Sequence, residues 1–146
     1  MANAINAYGT IVQVNDSDGG ASYTNVADLT DVGSPSFSGN VVDVTTHNAG
    51  SPWREKRVTL LQVDDLTIMI NLVYTNATHS HAAGLAYLMR NRLIRQMRWI
   101  NNSDAGSDYH QISFMVSKWT EQAAIDNVYK GQVTFTFTGA PTFTVT

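Results

Sequence analysis

The chain has 146 residues, of which 43% are apolar, which is enough for one domain with a single packed core. Its formal net charge is −3 and its isoelectric point is about 5.7. This negative charge argues against tight, sequence-independent binding of nucleic acid, since such binding requires a basic protein surface. The chain contains no cysteine, which excludes disulfides and thiolate metal sites.

The first half of the chain predicts short strands separated by polar turns. Clusters of β-branched and aromatic residues favour strands over 8–14, 22–30 and 41–46, and the sequence "NDSDGG" over 15–20 is typical of a hairpin turn. The strongest strand signal covers 64–75. Its apolar side chains alternate along one predicted face, at Leu66, Ile68, Ile70, Leu72 and Tyr74.

A single helix is predicted over 81–100, because this segment is rich in good helix formers and its apolar residues fall in one arc at helical spacing. Two long strands follow over 110–120 and 127–138, and the sequence "GAP" at 139–141 predicts a turn. Strands, one helix and further strands indicate an α+β fold that is mostly β. We expect an antiparallel β-sandwich or barrel with one packed α-helix.

No catalytic residue is predicted, since the chain lacks a cysteine nucleophile, a Gly-x-Ser-x-Gly elbow and a phosphate-binding loop. The pair His79-x-His81 is the best metal candidate, but side chains two residues apart diverge at a helix start. We therefore predict no metal site and no cofactor. The arginines between 90 and 98 predict a solvated face that pairs with carboxylates, because the chain is acidic and no stacking aromatics are interleaved with them.

Two segments carry a resemblance to a known family. "YTNVADLTDVGSPSFSGNVVDVTTHNAGSPWRE" (23–55) resembles the N-terminal signature of the major tail tube proteins of long, flexible-tailed (siphovirus-type) bacteriophages. "EQAAIDNVYKGQVTFTFTGAPTFT" (121–144) resembles the C-terminal signature of that family, in which an acidic turn enters a Thr-rich strand. The predicted helix also lies where the family places its single helix.

The resemblance implies a structural virion protein without enzymatic activity. It implies a β-sandwich, similar to type VI secretion tubes, whose subunits form hexameric rings that stack into a hollow tail tube. Sheets from all subunits would join round the lumen, and the helix would lie outside them. The expected partners are further copies of the chain together with tail-tip or initiator, tape-measure and terminator proteins, while genome DNA passes through on its way to the host without specific binding.

The polar stretch 44–57 then has an expected role in assembly. It places Trp53 among charges in a loop that contains Gly and Pro, and exposed Trp and Arg residues are typical anchors of interfaces. We predict that this loop, which includes His47, is mobile in the monomer and orders against the next ring. Trp53 would fill a pocket there, flanked by ion pairs that Arg54 and Glu55 form with the neighbouring subunit. The alternative is that Trp53 folds back over its own sheet.

A conduit for DNA predicts a lumen lined by small polar or acidic side chains, which repel or ignore phosphate at short range. One face of the last long strand has this polarity at Thr134, Thr136 and Thr138. Asp28 and Asp126 are further candidates for the lumen.

Other classes of protein stay open at this point. A tail terminator, or a tube subunit of a secretion system or gene-transfer particle, shares the fold and the assembly physics. A β-sandwich module that binds carbohydrate or a small ligand requires a concave aromatic cluster, and Trp53, Trp99 and Trp119 are scattered over different predicted elements. We expect the protein to be made in the host cytoplasm and to reside in the virion tail, with no insertion into a membrane, because no segment has the roughly 20 apolar residues of a membrane helix.

Overall fold

The fold is mostly antiparallel β-sheet, as the sequence predicts. In the part of the chain that the computed structural model describes, nine strands and one short helix follow one another. Seven strands form one sheet and two form a separate hairpin. The described residues are 10–33, 36–48, 50, 52–100, 108–123 and 128–144.

The seven-stranded sheet has the order β2-β1-β7-β8-β9-β6-β3, and each neighbouring pair is antiparallel. Its strands are β1 Ile11–Asn15, β2 Tyr23–Asn25, β3 Leu29–Val32, β6 Leu66–Asn71, β7 Arg95–Ile100, β8 Tyr109–Gln122 and β9 Lys130–Thr144. The hairpin consists of β4 Phe37–Asp43 and β5 Lys56–Val63.

The sheet curls because its two edge strands are consecutive in the chain. β2 and β3 lie at opposite edges, yet only the turn 26–28 joins them. In that turn the backbone N–H of Val26 donates to the carbonyl of Val12 at 2.8 Å, while the carbonyl of Asp28 accepts from the N–H of Asn71 at 2.9 Å. The turn thus binds β1 on one side and the end of β6 on the other, so the sheet closes into a barrel-like shape.

One face of the curled sheet forms the core. Side chains from five strands and the helix are buried there, and the rings of Phe114 and Phe135 meet edge-on with centroids 5.1 Å apart. Helix α1, Leu85–Arg90, adds the buried side chains of Leu85 and Leu88. The predicted alternation of β6 is correct for Leu66, Ile68, Ile70 and Leu72, which are all buried.

The prediction of a helix over 81–100 is wrong for most of its length. The helix has six residues and ends before Arg92, whose backbone adopts a φ of 55° in the left-handed region. Residues 95–100 form strand β7, which pairs with β1 on one side and β8 on the other. Met97 and Trp99 fit both a helical arc and a strand alternation, and hydrogen bonding to two neighbouring strands decides for the strand.

Other boundaries differ from the predictions where the backbone turns. The strand predicted over 22–30 is split in two by the turn at Asp28, which has a φ of 56°. The strand predicted over 41–46 begins earlier and ends at Asp43. The turn predicted at 139–141 is absent: β9 continues through Gly139, whose φ of 82° bends the strand without ending it.

A buried histidine ties the turn at 26–28 to the loop after β6. The side chain of His79 is fully buried, its Nδ1 accepts from the N–H of Val73 at 3.1 Å, and its Nε2 lies 2.7 Å from the carbonyl oxygen of Ala27. This pairing fixes the tautomer, because the nitrogen that faces a carbonyl must carry the proton. His79 therefore satisfies one backbone donor and one backbone acceptor at once.

We predict that His79→Ala lowers the free energy of unfolding by about 2–4 kcal/mol, because it leaves both backbone groups without their partner. Chemical denaturation of the dilute protein measures this. The matched control is His47→Ala in the exposed hairpin loop, which should change stability by less than about 0.5 kcal/mol. Equal effects of the two substitutions would contradict a structural role of the His79 side chain.

Candidate assembly surfaces

The β4–β5 hairpin stands apart from the sheet. Neither of its strands pairs with any other described strand, and its contact with the rest of the chain is made chiefly where β5 lies beside β9. A bulge between Gly39 and Val41 shifts the register within it. We call this hairpin the arm. The sequence did not predict strand β5, so only the structure shows that the arm exists.

At its base the hairpin closes one end of the core. Phe37 and Val63 lie over the side chains of Met97, Trp99 and Phe137. The indole N–H of Trp99 donates to the carbonyl of Gly33 at 2.8 Å, which fixes the chain that leads into the hairpin. The arm is therefore rooted in the packed barrel.

A carboxylate clip holds the two strands together at this base. Asp64 accepts hydrogen bonds from the hydroxyl groups of Ser36 and Ser38 at 3.2 and 2.9 Å and from the amide of Gln62 at 3.1 Å. Those bonds, with Ser38 first, hold the pKa of Asp64 below its usual value. Asp64 thus has a structural role and does not form an acid–base pair with Asp65.

Beyond its base the arm exposes large apolar side chains. Leu60, Leu61 and Trp53 are 76%, 80% and 78% exposed. On one face an open apolar groove of about 670 Å³ lies between the hairpin and the Gly139–Pro141 segment of β9. Exposed apolar surface of this kind on a small domain is typical of interaction sites, which makes the hairpin a candidate assembly surface.

The tip of the hairpin is tied by polar contacts. Arg54 Nη1 lies 2.7 Å from a carboxylate oxygen of Asp43, and the N–H of Thr45 donates to the other carboxylate oxygen at 2.9 Å. The N–H of Glu55 donates to the hydroxyl of Thr45 at 2.7 Å. The loop predicted over 44–57 is accordingly shorter: it spans 44–55, since β5 begins at Lys56.

The predicted assembly residues all lie on this tip. His47, Trp53, Arg54 and Glu55 are exposed. We expected Arg54 to form an ion pair with a neighbouring subunit. In the single chain it forms an ion pair with Asp43, which competes with that contact. Trp53 lies on the exposed loop, and its role in a neighbour's pocket stays a prediction.

The predicted lumen residues separate into two places. Thr134 and Thr136 lie on the outer face of the sheet, on the opposite side of β9 from the buried Val133 and Phe135. The hydroxyls of Thr134 and Thr67 of β6 are 3.1 Å apart on this face. Asp28 lies instead in an exposed turn at one end of the barrel, and Asp126 lies outside the described residues.

The sheet face that carries these threonines is continuous and largely uncharged. Across β6, β9 and β8 most outward residues are uncharged, but Lys118 lies directly opposite Thr134 and Lys130 lies directly opposite Asn71. Uncharged outward-facing positions are Thr67, Ser113, Met115, Gln132, Thr134, Thr136 and Thr138. On these three strands the face carries two cations, Lys118 and Lys130, and no carboxylate.

The described residues contain no group of three or more side chains that could hold a metal ion. His79 is committed to backbone groups, whereas His81 lies 3.1 Å from a carboxylate oxygen of Glu121, so the two do not share a site. Of the predicted arginine face, Arg98 lies on β7 with its guanidinium 3.8 Å from the ring centre of Tyr23. No described helix has the length and apolar character needed to cross a membrane.

No protein-family model matches the chain, and no curated protein matches it either. Solved structures do. The tail of an empty gene transfer agent particle with C6 symmetry superposes with a TM-score of 0.77 at 17% identity, over 97% of this chain and 100% of that chain. The chain has the tail tube fold.

Further solved structures agree with this fold. The SPP1 tail tube superposes with a TM-score of 0.74 at 7% identity, over 98% of this chain and 80% of that chain. The tube-terminating cap of the anti-feeding prophage has a TM-score of 0.64 at 14% identity, over 100% of this chain and 94% of that chain. The α+β, mostly β fold inferred from the sequence is confirmed.

At the end of the tail tube fold opposite the hairpin base lies a polar cluster that the sequence did not reveal. Glu121 accepts from the indole of Trp119 and the hydroxyl of Tyr74, both at 2.8 Å, and lies beside His81. These contacts, with the indole first, hold the pKa of Glu121 below its usual value. No sequence signal could have found this cluster, because Tyr74 and His81 are far from Glu121 in the chain.

We predict that Thr45→Val raises the pKa of Asp43. The hydroxyl of Thr45 first, then its backbone N–H and then Arg54 hold that pKa below its usual value by hydrogen bonding, and the substitution removes the hydroxyl. The tip contacts are therefore fully present above the usual pKa of the carboxyl and are lost as the pH falls through the lowered pKa. NMR titration of the Asp43 carboxyl measures the change. Thr59→Val, on the same hairpin, is the control and should leave the Asp43 pKa where it is; an unchanged pKa in Thr45→Val would contradict the account.

Proposed function

We propose that this chain is a structural subunit of a phage-type tail that assembles into stacked hexameric rings and thereby forms a hollow tail tube through which genome DNA reaches the host. The observation that carries the proposal is the match of almost the whole chain to the C6-symmetric tail of a gene transfer agent particle. The match covers 97% of this chain and 100% of that chain, so the two share the whole of the fold.

The hairpin supplies the longitudinal contacts in this proposal. Asp64 holds its two strands together at the base and the indole of Trp99 fixes the chain that leads into it, while Trp53, Leu60 and Leu61 remain exposed in the single chain. Trp53 fills a pocket in the next ring, and Arg54 exchanges or shares its contact with Asp43 when the rings meet. Burying such aromatic and aliphatic anchors is the usual source of interface affinity.

The threonine-bearing face of the sheet lines the lumen in this proposal. Thr134 and Thr136 present hydroxyl groups where DNA passes, and the two cations of this face, Lys118 and Lys130, are the groups that would contact phosphate. The conduit role requires no catalysis and no cofactor. Tail-tip, tape-measure and terminator proteins are the expected further partners, and the assembled protein resides in the virion tail.

A tail terminator is the second candidate. The tube-terminating cap of the anti-feeding prophage and the sheath/tube terminator of an extracellular contractile injection system have TM-scores of 0.64 and 0.70 with this chain. A terminator forms one ring and stops, whereas a tube subunit continues to stack. Electron microscopy of the purified protein at rising concentration distinguishes the two: hollow tubes support the tube, single rings that never stack support the terminator, and the absence of both rings and tubes, even with preformed tail-tip complexes, overturns the proposal.

We predict that Trp53→Ala abolishes tubes without changing the melting temperature of the dilute protein, because Trp53 is exposed in the single chain. Electron microscopy and thermal unfolding measure the two effects. Trp53→Phe keeps an aromatic anchor and is the matched control, in which tubes should persist. A large drop in melting temperature for Trp53→Ala would instead indicate that Trp53 packs on its own sheet.

We predict that position 136 is shielded from bulky reagents once tubes form. The chain has no cysteine, so Thr136→Cys introduces a single thiol on the proposed lumen face. It should react with a large polymer-linked maleimide before assembly and lose most of that reactivity in tubes. Ala82→Cys, at an exposed position near the helix, should react in both states; equal labelling of the two positions in tubes would contradict the lumen assignment.

A further inference from the structure

We infer that the hairpin of one subunit docks onto the opposite end of the barrel of the next copy, on a surface formed by Val73, Tyr74, Val128 and Tyr129. We call this surface the far-end patch. The inference rests on the proposed function and names the two surfaces that meet between rings. The contact is heterologous, because one copy contributes its hairpin and the next copy contributes its far-end patch.

Strand polarity places the two surfaces at opposite ends. The chain leaves the hairpin at Val63, enters β6 at Leu66 and reaches the other end of the sheet at Asn71, about 17 Å further on. There the N–H of Leu72 donates to the carbonyl of Tyr129 at 2.8 Å, which sets the start of β9 beside the end of β6. The far-end patch is therefore as far from the hairpin base as the barrel allows.

The far-end patch is apolar, exposed and held in shape. Its four side chains are between 41% and 55% exposed. The rings of Tyr74 and Tyr129 pack edge-on with centroids 5.9 Å apart, and the hydroxyl of Tyr74 donates to Glu121. A preformed aromatic surface binds a partner with little loss of side-chain entropy.

The charges of the two surfaces are complementary. The hairpin carries three cations and two carboxylates. Arg54 is already paired with Asp43, so the remaining charged residues are the cations Lys56 and Arg57 and the carboxylate Glu55. Beside the far-end patch lie Asp28, whose backbone carbonyl binds Asn71; Glu121, which has His81 3.1 Å away; and one formal cation, Lys130. Net positive charge on the arm faces net negative charge at the far end, which favours arm-to-end docking over arm-to-arm contact.

These features favour a second copy of this chain as the partner that binds both the hairpin and the far-end patch. The exposed apolar residues of the hairpin and those of the far-end patch lie at the two ends of one molecule, so a head-to-tail repeat covers both with a single type of contact. An arm-to-arm dimer covers the hairpin only and leaves the far-end patch in solvent. Repeated head-to-tail contact also produces an open stack and not a closed pair.

The test uses two interface variants and one control. Tyr129→Asp places a charge in the far-end patch and should reduce the particles seen by electron microscopy from many stacked rings to single rings, as Trp53→Ala does at the hairpin. Tyr129→Phe keeps the ring and should still give tubes. Thermal unfolding of the dilute proteins should give the same melting temperature for all of them, because Tyr129 is half exposed.

Mixing preformed rings of the two variants makes the test specific. Rings of Tyr129→Asp keep an intact hairpin, and rings of Trp53→Ala keep an intact far-end patch. One productive contact remains possible, so the mixture should contain pairs of rings and no longer stacks. Pairs that form in the mixture but in neither variant alone would establish the head-to-tail match.

Three results would overturn the inference. If the unsubstituted chain forms tubes and Tyr129→Asp forms them as well, the far-end patch is not the docking surface, while the tube function stands. If both variants stop at single rings but their mixture yields no paired rings, the two surfaces do not meet each other. If the unsubstituted chain never stacks, even on tail-tip complexes, the tube function itself fails and the inference fails with it.

Discussion

The pairing of β8 with β9 is the interaction that positions every other element. These are the two longest strands, with 14 and 15 residues, and they lie side by side in the middle of the sheet. β7 and β6 add to their outer edges, and α1 packs against β8 while the hairpin leans on β9. The edge-on contact of Phe114 with Phe135 lies between the same two strands, so the centre of the core and the centre of the sheet coincide.

The molecule consists of a packed barrel, built around the β8–β9 pair, and an exposed hairpin arm. Inside the barrel, polar groups are satisfied locally, as His79 does for Val73 and Ala27. The arm has the opposite character, because its strands bury little of their apolar surface in the single chain. A subunit that must fold alone and then join others benefits from this division, since losing an assembly contact leaves the core untouched.

The strands with regular alternation could be predicted from the sequence, because one face of each is buried: β6, β8 and the first part of β9 follow the pattern. Residues 95–100 could not, since Met97 and Trp99 suit a helix as well as a strand and only pairing with β1 and β8 decides. Part of strand β4 and the exposed loop around Trp53 were predicted, but strand β5 of the hairpin arm was not. β5 lacks the burial alternation by which strands are recognised, as the exposed neighbours Leu60 and Leu61 illustrate. The far-end cluster around Glu121 depends on tertiary contacts alone.

The most direct test of the central claim is a helical reconstruction of tubes assembled from the purified chain. The account predicts sixfold rings, the outer face of β6, β9 and β8 turned toward a hollow axis, and the β4–β5 hairpin crossing the boundary between rings to reach Tyr129 of the next copy. Rings whose hairpins stay within their own ring, or a lumen lined by another face of the sheet, would contradict it.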